Sequence, residues 1–304
     1  MKKNIFLIIL IALLIPYFYS NSEAINVTEI VIPFQFQDAR PFSDGIAAVK
    51  KDNKWGYIDR LGQWIIQPEY DFSVGDYSSG LSYVGNQFLD TNGMPVFEEA
   101  KFENARKFSP KGKDALAAVQ VSGQWGFIDL DGEFVISPKY DGAGDFSDSG
   151  LAPVKVGGIW GYVDRRGREL IMSNFDYAWN FSGEFAAVMV EGSVGYINKT
   201  GIYTINPQFI HAGEFHNGRA PARIGNRTGY INDRGRLVIP AVYHNGGEFS
   251  DGLAPVATDG RWGYINTSGR IVIPPLYDNA KPFSEGLAAV EQDGVWGYIS
   301  YRNF

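Results

Sequence analysis

The chain has 304 residues, 45% of them apolar and 15% aromatic, with a formal net charge of −7 and no cysteine. That length can bury one large β core or two ordinary ones, and the missing thiols exclude disulfides, cysteine nucleophiles and thiolate metal sites. An acidic chain without basic clusters is a poor partner for nucleic acid or anionic lipid, so neither is expected.

In chain order, Lys2 and Lys3 precede an apolar run from Ile5 to Ile15, and Ser22-Glu23-Ala24 follows. A charged start, a short apolar middle and small residues at positions −3 and −1 predict a secretory signal peptide over residues 1–24. The run of about 11 residues is shorter than the ~20 that span a bilayer, and Pro16 interrupts it. A single mature domain over 25–304 is expected, exported to a periplasmic, cell-surface or secreted location, monomeric and without a membrane span after cleavage.

From there the chain repeats. Aligned on the glycine of Trp-Gly, the marks are Gly56, Gly126, Gly161, Gly195, Gly229, Gly263 and Gly297. All gaps are 34 or 35 except the first, which is twice that. Phe88-Leu89-Asp90-Thr91-Asn92-Gly93 fills it as a degenerate copy of Tyr57-Ile58-Asp59-Arg60-Leu61-Gly62, which makes eight units. Within each unit, β-rich runs alternate with turn signals: an "IVIP" run, a "YDNAKPFSEG" connection, an alanine-rich run, then "WGYI" and an Asx-x-x-Gly turn. Three strands per unit follow, with a short fourth inside the connection. The second unit is the most divergent, and "KFSPKGKD" over Lys107–Asp114 reads as an insertion.

Lys54-Trp55-Gly56-Tyr57-Ile58-Asp59, Ile271-Val272-Ile273-Pro274, Tyr277-Asp278 and Phe283-Ser284-Glu285-Gly286-Leu287-Ala288 carry a resemblance to the bacterial WG-repeat (KWG-repeat) family. The resemblance covers nearly all of the expected mature chain. It implies an exported or surface repeat protein without a common activity. The unit around Phe88 departs from the pattern, as do those with Val194 and Thr228 in place of tryptophan.

Units of this size stack into an open β-solenoid or close into a β-propeller. A solenoid needs polar caps at both ends, and the last unit, Lys281 to Ser300, is close to consensus. The final "WGYIS" lacks an "IVIP" partner, and Ile30–Pro33 lacks a preceding "WGYI". An all-β, eight-bladed propeller closed by pairing 30–33 with the last unit is therefore favoured over the solenoid. The alanine-rich run is expected innermost. The "IVIP" run is expected outermost, where Pro68, Pro138, Pro207, Pro240 and Pro274 interrupt no buried ladder.

Trp55, Trp125, Trp160, Trp262 and Trp296 recur at one repeat position and are assigned to packing between units. Trp64 and Trp179 lie off that position and are better binding candidates. On the connection, Asp71, Asp141, Asp176, His244 and Asp278 occupy one equivalent place and are the other loop-face candidates. Their bland reading is turn capping. Their sharper one is an acidic channel mouth that includes Asp44, Asp148, Asp251 and Glu285 of the "FS-acid-G" turns. No catalytic residue, cofactor or metal is expected. His211, His216 and His244 sit at non-equivalent repeat positions without a glutamate at ligand spacing. Asp129 to Glu133 reads as a hairpin turn rather than a calcium loop. The functional expectation is a non-enzymatic binding or scaffold module for a protein or envelope glycan. The alternatives are a carbohydrate hydrolase with a carboxylate pair near the channel and a structural surface spacer.

Overall fold

The computed structural model describes residues 26–97, 102–109 and 112–303, so the signal-peptide expectation lies outside the described residues. The described strands form eight antiparallel sheets, six of four strands and two of three, with no helix among them. Blade 1 sets the pattern, running outward through Asp38–Ala39, Ile46–Lys51, Lys54–Asp59 and Trp64–Tyr70. Ile46 to Val49 are buried in succession, since a neighbouring blade covers each face of the sheet. Trp64–Tyr70 alternates, with Ile66 turned inward and its neighbours toward solvent, as an edge strand with one dry face should.

Blade 8 contains Asn279–Ala280, Leu287–Gln292 and Val295–Asn303, and its outer strand is Asn26–Phe36 from the other end of the chain. Ile30 pairs with Ile299, Ile32 with Tyr298 and Phe36 with Trp296. The molecule is an eight-bladed β-propeller closed by its N-terminal strand, and the open solenoid is discarded.

One aromatic pair bolts each blade to the next. The ring of the "WGY" tyrosine, or phenylalanine, meets the ring before the "FS-acid-G" turn of the following blade. The eight centroid separations lie between 4.7 and 5.2 Å, and the Phe42–Tyr298 pair at the closing seam is one of them. Each pair is tilted or edge-on, the arrangement that favours the ring quadrupoles by about 0.5–1.5 kcal/mol beyond burial. At six seams the tyrosine hydroxyl also donates to a carbonyl of the next blade, for example Tyr264 to Lys281 at 2.8 Å and Tyr298 to Arg40 at 2.8 Å. Phe88 and Phe127 forgo that bond at the other two. Burial drives the tyrosine hydroxyls well above their ordinary pKa, so they remain donors at any physiological pH.

In the six four-stranded blades the alanine-rich strand is second, which corrects the expectation that it lies innermost; in the two three-stranded blades the equivalent strands, Ser82–Val84 and Ala220–Ile224, are the innermost regular ones. In blade 1 an extended segment runs along its whole length nearer the axis. Gln37 N donates to Lys50 O at 2.8 Å, Arg40 N to Ala48 O at 2.9 Å and Ser43 N to Ile46 O at 2.9 Å. Only two residues qualify as regular strand there. The "YD" connection and the "FS-acid-G" turn therefore emerge at opposite ends of the blade.

The "WG" glycine has a local cause. A Cβ on Gly263 would lie 2.4 Å from Ile273 O, and on Gly297 2.8 Å from Ile32 O, because the outer strand bulges over this point.

Candidate functional site

The loop-face candidates are spread one per blade, and most are occupied in holding the fold. Asp141 accepts from Gly157 N at 2.7 Å, Asp176 from Glu191 N at 2.6 Å and Asp278 from Asp293 N at 2.7 Å. In the same place His244 Nδ1 accepts from Asp259 N at 3.3 Å. Each caps the hairpin between the second and third strands of the blade it leads into. Asp71 is exposed and 3.9 Å from Lys54 Nζ. Trp64 meets Phe36 edge-on at 6.0 Å, and Trp179 packs on Tyr177 at 4.6 Å while its carbonyl accepts from Tyr162.

The turn acids work at the other end of the barrel of blades. Glu285 accepts from Gly45 N at 3.0 Å, Asp44 from Gly80 N at 2.9 Å and Asp251 from Gly286 N at 2.8 Å. Each reaches the matching turn of the next blade, so these carboxylates are links in a chain around the axis. Asp129 Oδ1 accepts from Asp131 N and Glu133 N, as Asp59, Asn198 and Asn266 do in their own hairpins.

A different position gathers polar side chains. The residue just before the bolting aromatic lies on the innermost segment, and it reads Pro41, Asp76, Lys107, Asp145, Asn180, Glu214, Glu248 and Pro282 around the ring. Lys107, Asp145, Asn180 and Glu214 come from four successive blades yet line one cavity of about 320 Å³, joined there by His216. Four successive blades can share a cavity only near the axis. Asp145 N donates to Asn180 Oδ1 at 3.0 Å, and Glu214 N donates to Glu248 Oε1 at 2.8 Å. At these two seams the innermost side chain replaces the turn acid as the link between blades.

The site is not uniformly acidic. Arg40 Nη1 lies 3.4 Å from Asp76 Oδ1. Asp145 has a shielded Oδ1 with no hydrogen-bond partner. Burial pushes its carboxyl up from the usual range, and Arg106 and Lys107 pull against that rise. His216 Nε2 stands 3.6 Å from Glu214 Oε2 and 3.4 Å from Glu248 Oε2. Glu214, then Glu248, raises the imidazole to about 9. The expectation that no histidine has carboxylates within ligand reach is corrected here. Glu214 and Glu248 are one period of 34 residues apart, so adjacent blades place them side by side.

The family model described as "WG containing repeat" matches residues 29–55, 55–85, 125–158, 160–193, 195–227, 229–262 and 262–296. The chain belongs to the WG-containing repeat family. No curated protein sequence matches it significantly. Among solved structures, this WG-repeat propeller is similar to one described as a eukaryotic initiation factor. The identity is 13%, with 89% of this chain and 88% of that one covered, at a TM-score of 0.56. It is also similar to the C-terminal WD40 domain of Sif2, at 11% identity, 92% and 99% coverage and a TM-score of 0.54. At such identities the likeness shows the propeller fold alone.

The family's signature tryptophan packs between units, as expected, beside the aromatic bolt. Trp55 is buried in a cluster with Val74, Tyr77 and Leu89 of the next blade, and Trp296 in one with Phe42, Val49 and Ile58. Arg40 and Lys281 cover these two rings, their charges 5.3 and 5.1 Å from the ring centroids. Trp160 meets Tyr177 of the next blade at 5.2 Å. Tyrosine and phenylalanine carry the seam in every unit of the WG-repeat ring, including those where Val194 and Thr228 stand in place of tryptophan. The axial residues were hidden because the innermost segment looks like a loop in sequence. The usable signal was variation at one position of an otherwise regular repeat.

Proposed function

We propose that this WG-repeat propeller is a non-enzymatic binding module, exported from the cytoplasm, that takes a polar group of a protein or glycan partner into its axial cavity. The carrying observation is the convergence of Lys107, Asp145, Asn180 and Glu214 on one cavity from equivalent positions of four blades. Positions that build the ring repeat, and the one facing the axis does not. Mixed charges beside an amide supply hydrogen-bond donors and acceptors together, which suits a polyhydroxylated or peptide ligand better than a simple ion. The leader-like residues 1–24 support export. Among the described residues no helix is long and apolar enough to cross a membrane.

The hydrolase alternative needs one protonated acid and one free carboxylate flanking a bond. Glu214 and Glu248 come together at the axis, and both lie against a single imidazole. That arrangement supports binding over glycoside cleavage.

Glycan-array and immobilised-peptide screens on the purified chain test the reading. A ligand class is expected whose binding falls at least about tenfold in Asn180→Ala and Asp145→Asn, while Asp71→Asn leaves it unchanged. Ligand bound equally by Asn180→Ala would move the site away from the axis. Release of sugar from a bound glycan would overturn the non-enzymatic assignment.

A further inference from the structure

We propose that Glu214, His216 and Glu248 bind one divalent metal ion of the Zn²⁺ class, tetrahedrally, with the fourth position open to the axial cavity. The three side chains come from two adjacent blades, each offers one ligand atom, and those atoms lie within 4.8 Å of one another.

The spacing fits a metal cradle. Charge-assisted N–H···O contacts settle at about 2.7–2.9 Å. Here His216 Nε2 is 3.4 and 3.6 Å from the two carboxylate oxygens. Ligands about 2.0–2.1 Å from a tetrahedral ion stand roughly 3.3–3.4 Å from each other, close to the two distances from His216, and the carboxylate oxygens lie within 4.8 Å of each other. An imidazole nitrogen among the ligands favours zinc-like ions over calcium and magnesium, which prefer all-oxygen sets.

The surroundings orient the ligands before any ion arrives. Glu248 Oε1 is held by Glu214 N at 2.8 Å, which leaves Oε2 to face the site. His216 occupies the serine position of the "FS-acid-G" turn. Its Nδ1 lies 3.4 Å from Ser182 Oγ, whose own proton goes to Phe215 O. That oxygen can accept from Nδ1–H, so the proton an incoming ion displaces is the one on Nε2, which faces the carboxylates, the usual support behind a metal-binding histidine. A separate observation points to a ligand in the same place. Asp145, on the cavity shared with Glu214 and His216, keeps a shielded carboxyl oxygen without a partner. Such an atom is costly unless something polar fills the space beside it. A second cavity, lined by Ser182, His216, Asn217 and Arg219, also reaches the imidazole.

The metal site adjoins the cavity assigned above to a partner, but the metal alone tests it, so failure of one assignment leaves the other standing. The chelator-treated full chain is titrated with Co²⁺ and with Zn²⁺. One ion per chain is expected, with the intense visible bands of tetrahedral Co²⁺, displaced by Zn²⁺. His216→Ala and the isosteric Glu248→Gln should each weaken binding at least about 100-fold, and Ser182→Ala about tenfold. His211→Ala and His244→Ala should leave it unchanged. Circular dichroism of the variants separates lost ligands from lost fold. Absence of binding, an octahedral Co²⁺ spectrum, equal affinity for Mg²⁺, or undiminished binding by folded Glu248→Gln would each overturn the assignment.

Discussion

The seam between blades 8 and 1 and the seam between blades 6 and 7 are built on the same frame and finished differently. Both carry the aromatic bolt, Phe42–Tyr298 at 4.8 Å and Tyr230–Phe249 at 5.0 Å, and both carry the tyrosine bond to the next blade, at 2.8 and 2.9 Å. At the closing seam every remaining position is structural. Pro41 and Pro282 face the axis, Ser284 donates to Phe42 O, Glu285 caps Gly45 N and Trp296 lies under Lys281. At the other seam Glu214 and Glu248 take the proline places, His216 the serine place and Thr228 the tryptophan place. The frame tolerates these exchanges because the bolt and the tyrosine bond are kept at both seams. Divergence from the repeat therefore marks where polar side chains gather better than the repeat's own signature does.

The largest test of that comparison truncates the bolt on both sides. Phe42→Ala and Phe249→Ala remove rings that are 1% exposed, and each is expected to cost about 3–5 kcal/mol in urea unfolding. A much cheaper Phe249→Ala would mean that the polar cluster, not the aromatic pair, joins blades 6 and 7.

Next comes the glycine under the outer-strand bulge. Gly297→Ala and Gly229→Ala would set a Cβ 2.8 and 2.7 Å from backbone oxygens, Ile32 O and Ile239 O. A loss of about 1–3 kcal/mol is expected at both, read from thermal unfolding. Unequal losses would show that the closing strand is seated differently from its seven counterparts.

Tyr298→Phe and Tyr230→Phe should each cost about 1 kcal/mol, the net value of one hydrogen bond. The native Phe88 and Phe127 show that the ring closes without that bond. A loss above about 3 kcal/mol at either tyrosine would contradict that inference.

The smallest effect carries the opposite sign. Asp145 has its carboxyl pKa raised by burial, so the folded state holds a proton more tightly than the unfolded chain does. Its ionisation then opposes folding, and the penalty appears as the pH rises through the folded pKa. Asp145→Asn should raise the melting temperature at pH 7, with the gain shrinking as the pH falls toward the ordinary carboxylate range. A lower melting temperature at pH 7 would show that the charge is satisfied where it stands.

Much of this was legible in the sequence. The period of 34 counted the blades, the Asx-x-x-Gly runs marked hairpins whose glycines take positive φ (Gly62 at 77°, Gly269 at 84°), and Ile30–Pro33 foretold the outer strand of blade 8. The capping reading of the loop-face aspartates holds for three of them, but the groups they cap were not legible. Asp141, Asp176 and Asp278 cap hairpins 15 or 16 residues downstream, a reach that depends on how the connection lies against the second strand. The packing assigned to the repeat tryptophans holds, and the tyrosine–phenylalanine bolt beside them was missed because its two rings belong to different units. Glu214, Glu248 and His216 were missed because ligand spacing was sought along the chain rather than across one period.

The sequence by itself determined the repeat, its strands and turns, and the place where the ring closes, since these follow from local periodicity and backbone chemistry. The tertiary structure decided which aromatic joins the blades, which segment faces the axis and which polar groups meet there. Those outcomes depend on distances between residues of different units, and only the closed ring sets them.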